Sequence, residues 1–264
     1  FISQSAVSQS IKVLEKKLNQ PLFIRSTKKV QLTPEGEILL KHIEPAMNLI
    51  KKGENQLLEA HTLNGGQLRI GASDTICRYY LVPYLNRFHK EFPNIHIKVI
   101  NQTSIECAKF LENGQADFIV ANYPNSALAG SMNTRVINEF HDVFVASRSA
   151  FPLKGSKLAL EELLRYPIMM LDRKSTTSEF LHSMFQRHQL DLVPEIELSS
   201  NDLLIDLARI GLGVAFVPDY CIPDNERSLF KVQIEEELPT RQIVVASNDS
   251  LPISQAAKQF MEML

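Results

Sequence analysis

Apolar residues recur at Val7, Ile11, Leu14 and Leu18, and this three-to-four spacing predicts a helix with all four on one buried face. Ser3 stands where a helix N-cap belongs, able to accept from a free backbone N–H of the first turn. The opposite face carries Ser5, Ser8, Gln9, Lys12 and Lys16. The pattern breaks at Asn19-Gln20-Pro21, because the residue before proline is pushed out of the helical region. Leu22, Phe23 and Ile24 then start a strand, Arg25 to Lys29 form a basic turn, and Val30 and Leu32 alternate with Gln31 in a returning strand. Thr33 caps the next helix with Pro34 at its first position. That helix is predicted over residues 34–62. Its stripe is Ile38, Leu39, Ile43, Met47, Ile50, Leu57 and Leu58, and Pro45 is expected to bend it. The segment Leu63-Asn64-Gly65-Gly66 marks a boundary.

Beyond Gly66 the period changes. Leu68 and Ile70 alternate in a strand ending at Gly71-Ala72-Ser73, and a helix follows with Leu81, Leu85, Phe88 and Phe92 on one face. Ile95, Ile97 and Val99 form a second strand. A helix from Thr103 to Gly114 has Thr103 and Glu106 at capping-box spacing, and Asp117 to Ala121 is a buried third strand. A second unit of the same kind begins after about Val145, with a strand at Ile168–Leu171 and a helix over 176–189 that Thr176 opens. Ile196 and Leu198 follow, then a helix through Ile210 that Asn201 caps, a strand at Val214–Val217, a late strand at Ile243–Ala246 and a C-terminal helix packing back. Strands alternating with helices predict parallel sheets with right-handed crossovers, arranged as two α/β lobes joined by two crossings.

Charge divides the chain. Residues 1–33 hold six cations against Glu15 alone, a net of +5, while the whole chain is at −2, leaving −7 for the rest. A basic head on an acidic body suits contact with nucleic acid, and a basic hairpin after an exposed helix can straddle a phosphate backbone as a wing. Gln can pair with adenine edges, and Ser with base or phosphate. A merely solvated amphipathic helix shares this polar face, but the basic hairpin behind it has no use in that reading.

The stretch SQSAVSQSIKVLEKKL followed by PLFIRSTKKVQLTPEGE resembles the LysR-type transcriptional regulators in order and spacing. The layout of the remaining chain also follows that family. The resemblance implies two further helices ahead of Ser3, so the N-terminal part is expected to be a partial winged helix-turn-helix. It implies a DNA-binding domain over 1–33, a linker and dimerisation helix over 34–65, and a type-2 periplasmic-binding-protein-like effector domain over 66–264. Lobe I is expected at about 66–145 and 246–264, and lobe II at about 146–245. The expected DNA contacts are Ser3, Gln4, Ser5, Ser8, Gln9 and Lys12 on the helix and Arg25, Ser26, Lys28 and Lys29 on the wing. The implied partners are double-stranded operator DNA, a small-molecule effector and further copies of the chain, as homodimer or homotetramer.

Ligands of open α/β sheets sit beyond the carboxyl ends of the strands. Ser73, Thr75, Thr103 and Ser104 lie there in the first lobe, and Thr176, Thr177, Ser178 and Asn201 in the second; these positions match the family's effector site. Hydroxyls and free N–H groups suit a small organic anion. Arg78 could add charge, whereas Asp74 opposes an anion unless paired. Simple capping explains each hydroxyl singly; their convergence favours a site. Cys77 and Cys107 lie early in helices beside the site, where a thiol can be acidified, but the peroxide-sensing members of the family carry their cysteine pair in the second lobe and no matching pair exists here, so a redox switch is not the expectation. Cys77, Cys107 and Cys221 have no metal-ligand spacing and no disulfide framework, so reduced thiols in a cytoplasm are the default. No apolar run is long enough to span a bilayer, and no cofactor, metal site or catalytic residue is expected. The competing class is a solute-binding protein or enzyme on the same scaffold, which an export signal, a nucleophile–base pair or a metal cluster would favour.

Overall fold

The computed structural model describes residues 3–25, 29–59, 66–128, 132–153, 155 and 157–264. Expectations for Ser26 and Lys28 at the wing tip, and for residues 63–65 of the boundary, lie outside the described residues. The chain divides into two compact units, Phe1–Glu54 and Asn55–Leu264.

In the first unit, α1 spans Gln4–Leu18, with the Ser3 side chain accepting from the Ala6 N–H and Asn19 ending it in the left-handed region at φ 52°. The four apolar residues of α1 share a face, but that face is not buried: Val7 and Leu18 are exposed and Ile11 and Leu14 only half-buried. Strands β1 (Phe23–Arg25) and β2 (Val30–Leu32) pair antiparallel as the expected hairpin. Thr33 Oγ1 accepts from Gly36 N at 3.0 Å and donates to the Pro21 carbonyl at 2.7 Å, so one cap also closes the turn before the hairpin. Helix α2 covers Pro34–Glu59, with Pro45 inside it. Ile38, Ile43, Met47, Ile50 and Leu57 of its stripe are exposed.

The second unit holds two sheets. One contains β3 (Gln67–Ala72), β4 (His96–Asn101), β5 (Phe118–Tyr123), β6 (Met132–Phe140) and the late strand of residues 241–248. The other contains β7 (Asp142–Ser147), β8 (Lys157–Leu158), β9 (Ile168–Leu171), β10 (Ile196–Leu198), β11 (Val214–Pro218) and β12 (Leu229–Ile234). With the late strand as β13 (Arg241–Asn248), the orders are β4-β3-β5-β13-β6 and β10-β9-β11-β7-β12-β8. Neither sheet is purely parallel, because β13 runs antiparallel to β5 and β6, and β7 antiparallel to β11 and β12. The crossings fall at His141 and between Ile234 and Arg241, earlier than the expected 145 and 246. The physical reason is ladder pairing: Asp142–Val145 pair with β11, and Arg241–Ile243 already pair with β6.

Helices α3 (Asp74–Ile76) and α4 (Val82–Glu91) join through one π-helical turn, Cys77–Leu81, as one run. Helix α5 (Ser104–Glu112) and α9 (Gln255–Met263) complete lobe I. Lobe II carries α6 (Leu160–Leu163), α7 (Thr176–Arg187) and α8 (Asn201–Arg209). Lobe I is centred on Phe118 and Phe88, both packed on Phe260 of α9, with ring centroids 5.6 and 5.2 Å away. Lobe II is centred on Phe144 and Phe216, 4.6 Å apart. Such aromatic contacts each add about 0.5–1.5 kcal/mol beyond simple burial.

Candidate functional site

Four helix starts meet between the lobes, each at the carboxyl end of a strand. Ser73 follows β3 and caps α3, accepting from Ile76 N at 3.3 Å; Thr103 follows β4 and caps α5, accepting from Glu106 N at 3.3 Å. On the other wall Ser175 caps α7, accepting from Ser178 N at 3.1 Å, and Ser200 caps α8, accepting from Leu203 N at 3.3 Å. The caps of α7 and α8 are therefore one residue ahead of the expected Thr176 and Asn201. This shift leaves the Asn201 amide free of the cap, and its Nδ2 donates across the cleft to Thr75 Oγ1 at 2.9 Å. Tyr79 in the π turn donates to Asp202 Oδ1 at 2.6 Å, so adjacent residues of α8 hold lobe I twice.

The cleft is a cavity of about 420 Å³ lined by Ser73, Thr75, Thr103, Ser104, Thr176, Thr177 and Asn201 of the expected set, together with Asn122, Asp172 and Ser200 among others. Ser178 does not line it and is fully buried. Among the described lining residues are two carboxylates, Asp74 and Asp172, and no lysine or arginine. Arg78 is not among them: its Nε lies 3.6 Å from Asp202 Oδ1 and its guanidinium over the Tyr79 ring. Asp74 is exposed and accepts from Asn101 Nδ2 at 3.2 Å, and Asp172 accepts from Lys174 N at 3.1 Å.

The hydroxyl chemistry has a consistent direction. Besides the caps, Thr75 accepts from Asn201, Ser104 accepts from Asn122 N at 3.1 Å, and Thr177 accepts from Arg241 Nη1 at 3.1 Å. A hydroxyl has one proton and two lone pairs. An oxygen that already accepts from a protein N–H has its proton free to donate elsewhere. Capping and ligand binding are thus not rivals here. The capping bonds leave the protons of Ser73, Thr103 and Ser200 available to a ligand, whereas Ser175 donates to the Asp172 carbonyl at 3.1 Å; helix dipoles also favour negative charge there. Sequence reasoning missed Asn122, whose buried Oδ1 has no partner among the described residues, and Arg241, whose placement behind Thr177 has no local signal.

Burial raises the thiols rather than acidifying them: Cys77 is pushed up to about 11 by burial and then by Asp74, and Cys107 to about 12 by burial. Cys221 is raised as well, again by burial. A thiol acidified by its place early in a helix, the lesser reading of the sequence, is thus not what burial produces here. A second, more open depression of about 640 Å³ on lobe II mixes Arg148 and Lys231 with Asp219, Asp224 and Glu226. Glu226 is already taken by Arg209 at 2.8 Å, so these charges do not converge on one kind of ligand.

In the first unit, Gln4, Ser5, Gln9, Lys12 and Lys16 are exposed on α1, with Ser8 half-buried; Ser3 acts as the cap and lies 2.9 Å from Ser5 Oγ. Glu15, read in the sequence only as a lone acid, braces the hairpin: its Oε1 accepts from the N–H groups of Leu22 at 2.9 Å and Phe23 at 3.2 Å. Among the described residues no helix is long and apolar enough to cross a membrane.

Residues 61–264 match the family model described as LysR substrate binding domain, and residues 1–37 that of the bacterial regulatory helix-turn-helix protein, lysR family. A relative named "Probable RuBisCO transcriptional regulator" from Cyanidioschyzon merolae is 28% identical over 270 residues, covering 100% of this chain and 89% of the relative. A protein of the same name from Gracilaria tenuistipitata var. liui is 28% identical over 267 residues, covering 98% and 86%. Among solved structures, the Synechocystis PCC6803 CcmR regulatory domain in complex with 2-PG is similar at TM-score 0.67 and 20% identity, covering 75% of this chain and 94% of that one. Full-length CbnR complexed with its target DNA is similar at TM-score 0.67 and 16% identity, covering 99% and 89%. At these identities the structural likeness establishes the two-lobed fold.

Proposed function

The chain belongs to the LysR family of transcriptional regulators, and from that premise we propose that a small organic anion bound between its lobes controls how it acts on operator DNA. The observation that carries this reading is the set of hydroxyls that accept from protein N–H groups, and the four helix starts, around one cleft of about 420 Å³. The 2-PG bound by the CcmR regulatory domain supports an anionic effector. The effector acts by binding one lobe arrangement more tightly than the other, since a ligand shifts an equilibrium only by its differential affinity.

The exposed face of α1 and the wing are the DNA-reading surface: Gln4, Ser5, Ser8 and Gln9 read bases, and Lys12, Arg25, Lys28 and Lys29, with Ser3 and Ser26, engage phosphates. The exposed apolar stripe of α2 makes a second copy of the chain its economical cover, giving a homo-oligomer. The working domains in this reading are a DNA-binding segment through residue 33, a linker helix and an effector domain from residue 66, in a cytoplasmic protein that performs no catalysis. The solute-binding or enzymatic alternative finds no support in relatives named as regulators.

The test is operator binding across a salt series with wild type, Lys12→Ala and Gln9→Ala. Lys12→Ala is expected to weaken binding on all sequences and to flatten the log–log salt slope by about 0.9. Gln9→Ala is expected to relax sequence preference, with a cost of about 1–3 kcal/mol at one base pair. Wild-type binding without sequence preference at any salt would remove the regulator reading of α1. In parallel, calorimetric titration with 2-PG, inorganic phosphate and citrate tests the cleft.

A further inference from the structure

Arg241 opens the strand that returns to lobe I, yet it is a fully buried guanidinium, 1% exposed, at the seam between the lobes. Its Nη1 donates to Asp142 Oδ2 at 2.7 Å and to Thr177 Oγ1 at 3.1 Å. Its Cζ sits 5.3 Å from the centroids of both the Phe140 and Phe180 rings. Phe140 and Asp142 flank the first crossing, so both crossing strands and α7 hold one side chain in place. Nε and Nη2 have no hydrogen-bond partner among the described residues.

Resting on the anionic-effector reading, we propose that Arg241 is a positioning residue for that effector: its bond to Thr177 Oγ1 turns the Thr177 proton away from the guanidinium and leaves it for a ligand in the cleft. Thr177 is buried and lines the cavity. Its oxygen accepts a charge-assisted bond from the guanidinium, so its proton cannot point back at Arg241. That bond polarises the O–H, and in a low-dielectric wall the polarisation counts for more than it would in water. A ligand oxygen that only accepts, such as that of a carboxylate or phosphate, is matched to this donor. The lining itself contributes only carboxylates as charged groups, and Arg241 behind the wall is paired with Asp142, so an anion in the cleft relies on neutral donors such as the Thr177 hydroxyl.

Isothermal titration of the whole chain with 2-PG, inorganic phosphate, acetate and citrate, beside neutral glycolamide, tests this. For whichever anion wild type binds, Thr177→Val is expected to lose about ten- to a hundredfold in affinity, and Thr177→Ser to stay within about threefold. Arg241→Gln is expected to cost a similar factor for the anion and little for glycolamide, and the double variant to be no worse than the weaker single one. A merely structural role would lower thermal stability without changing the anion-to-neutral ratio. If Arg241→Gln does not fold, the Thr177 pair decides alone, since both variants keep the guanidinium. Wild-type affinity in Thr177→Val, or losses that multiply in the double variant, overturns the inference and leaves the anionic-effector reading standing. No binding of any anion to wild type overturns both.

Discussion

Removing the amide of Asn201 should loosen the grip of one lobe on the other by a definable amount. Its Nδ2 bond to Thr75 Oγ1 is 2.9 Å long and buried, and its Oδ1 has no partner among the described residues. An intramolecular hydrogen bond is worth about 0.5–1.5 kcal/mol net. Asn201→Ala also removes the unpaired Oδ1, and the Thr75 hydroxyl it leaves behind lines a cavity that water can enter. Neither change strands a buried polar group, so the expected loss is the net value, about 1 kcal/mol, rather than a full desolvation penalty. For a unit of this size that corresponds to a fall in Tm of about 2–4 °C. The specific assay is a double-mutant cycle of Asn201→Ala and Thr75→Val read by thermal and denaturant unfolding. The expected coupling is about 1 kcal/mol, because once either partner is gone the other has no bond left to lose. Tyr79→Phe in the same background should add nearly independently, since its bond is made to Asp202. If Asn201→Ala and Thr75→Val add to within about 0.3 kcal/mol, the cross-lobe bond contributes nothing and the reasoning fails.

Two further outcomes follow from the fold. Gly211 ends the turn after α8 at φ +81°, and a Cβ there would lie 2.5 Å from the Ala150 Cβ. Gly211→Ala should therefore destabilise by about 1–3 kcal/mol, seen as a lower denaturant midpoint at unchanged slope, and an unchanged midpoint would refute it. The Cys77 and Cys107 thiols, held up to about 11 and about 12 by burial, carry about one thiolate in a thousand or fewer at pH 8. Alkylation of the native protein should be slow there and should accelerate as pH climbs toward those values, with all three cysteines reacting quickly once the chain is unfolded. One cysteine reacting at the rate of a free small thiol at pH 8 would contradict this.

Much of the architecture was written in local pattern. The helix of α1 with its Ser3 cap, the hairpin around a basic turn, Thr33-Pro34 at the head of α2 and strands β3, β4 and β5 each follow from periodicity, turn chemistry and capping within a dozen residues. Seven of the eight expected cleft residues line the cavity, because strand ends and helix starts are locally marked by Ser and Thr. Strand β6 was not legible: its side chains are mostly exposed, so Met132–Phe140 shows no burial rhythm to read. The crossing at His141 was misplaced for a related reason, since whether Asp142–Val145 belong to one lobe or the other depends on which distant strand they pair with.

What the sequence alone determined, then, were the elements, the basic head and the chemical character of the cleft, all of which rest on neighbours close in the chain. Only the tertiary structure decided what the individual cleft residues do. Asn201 looks like a cap and is instead a donor to Thr75, 126 residues away, because Ser200 takes the cap first. Arg241 carries no local signal in the sequence and is buried against Asp142 and Thr177, 99 and 64 residues away. A buried charge is tolerable only where distant partners are already in place to satisfy it, and no local pattern records that.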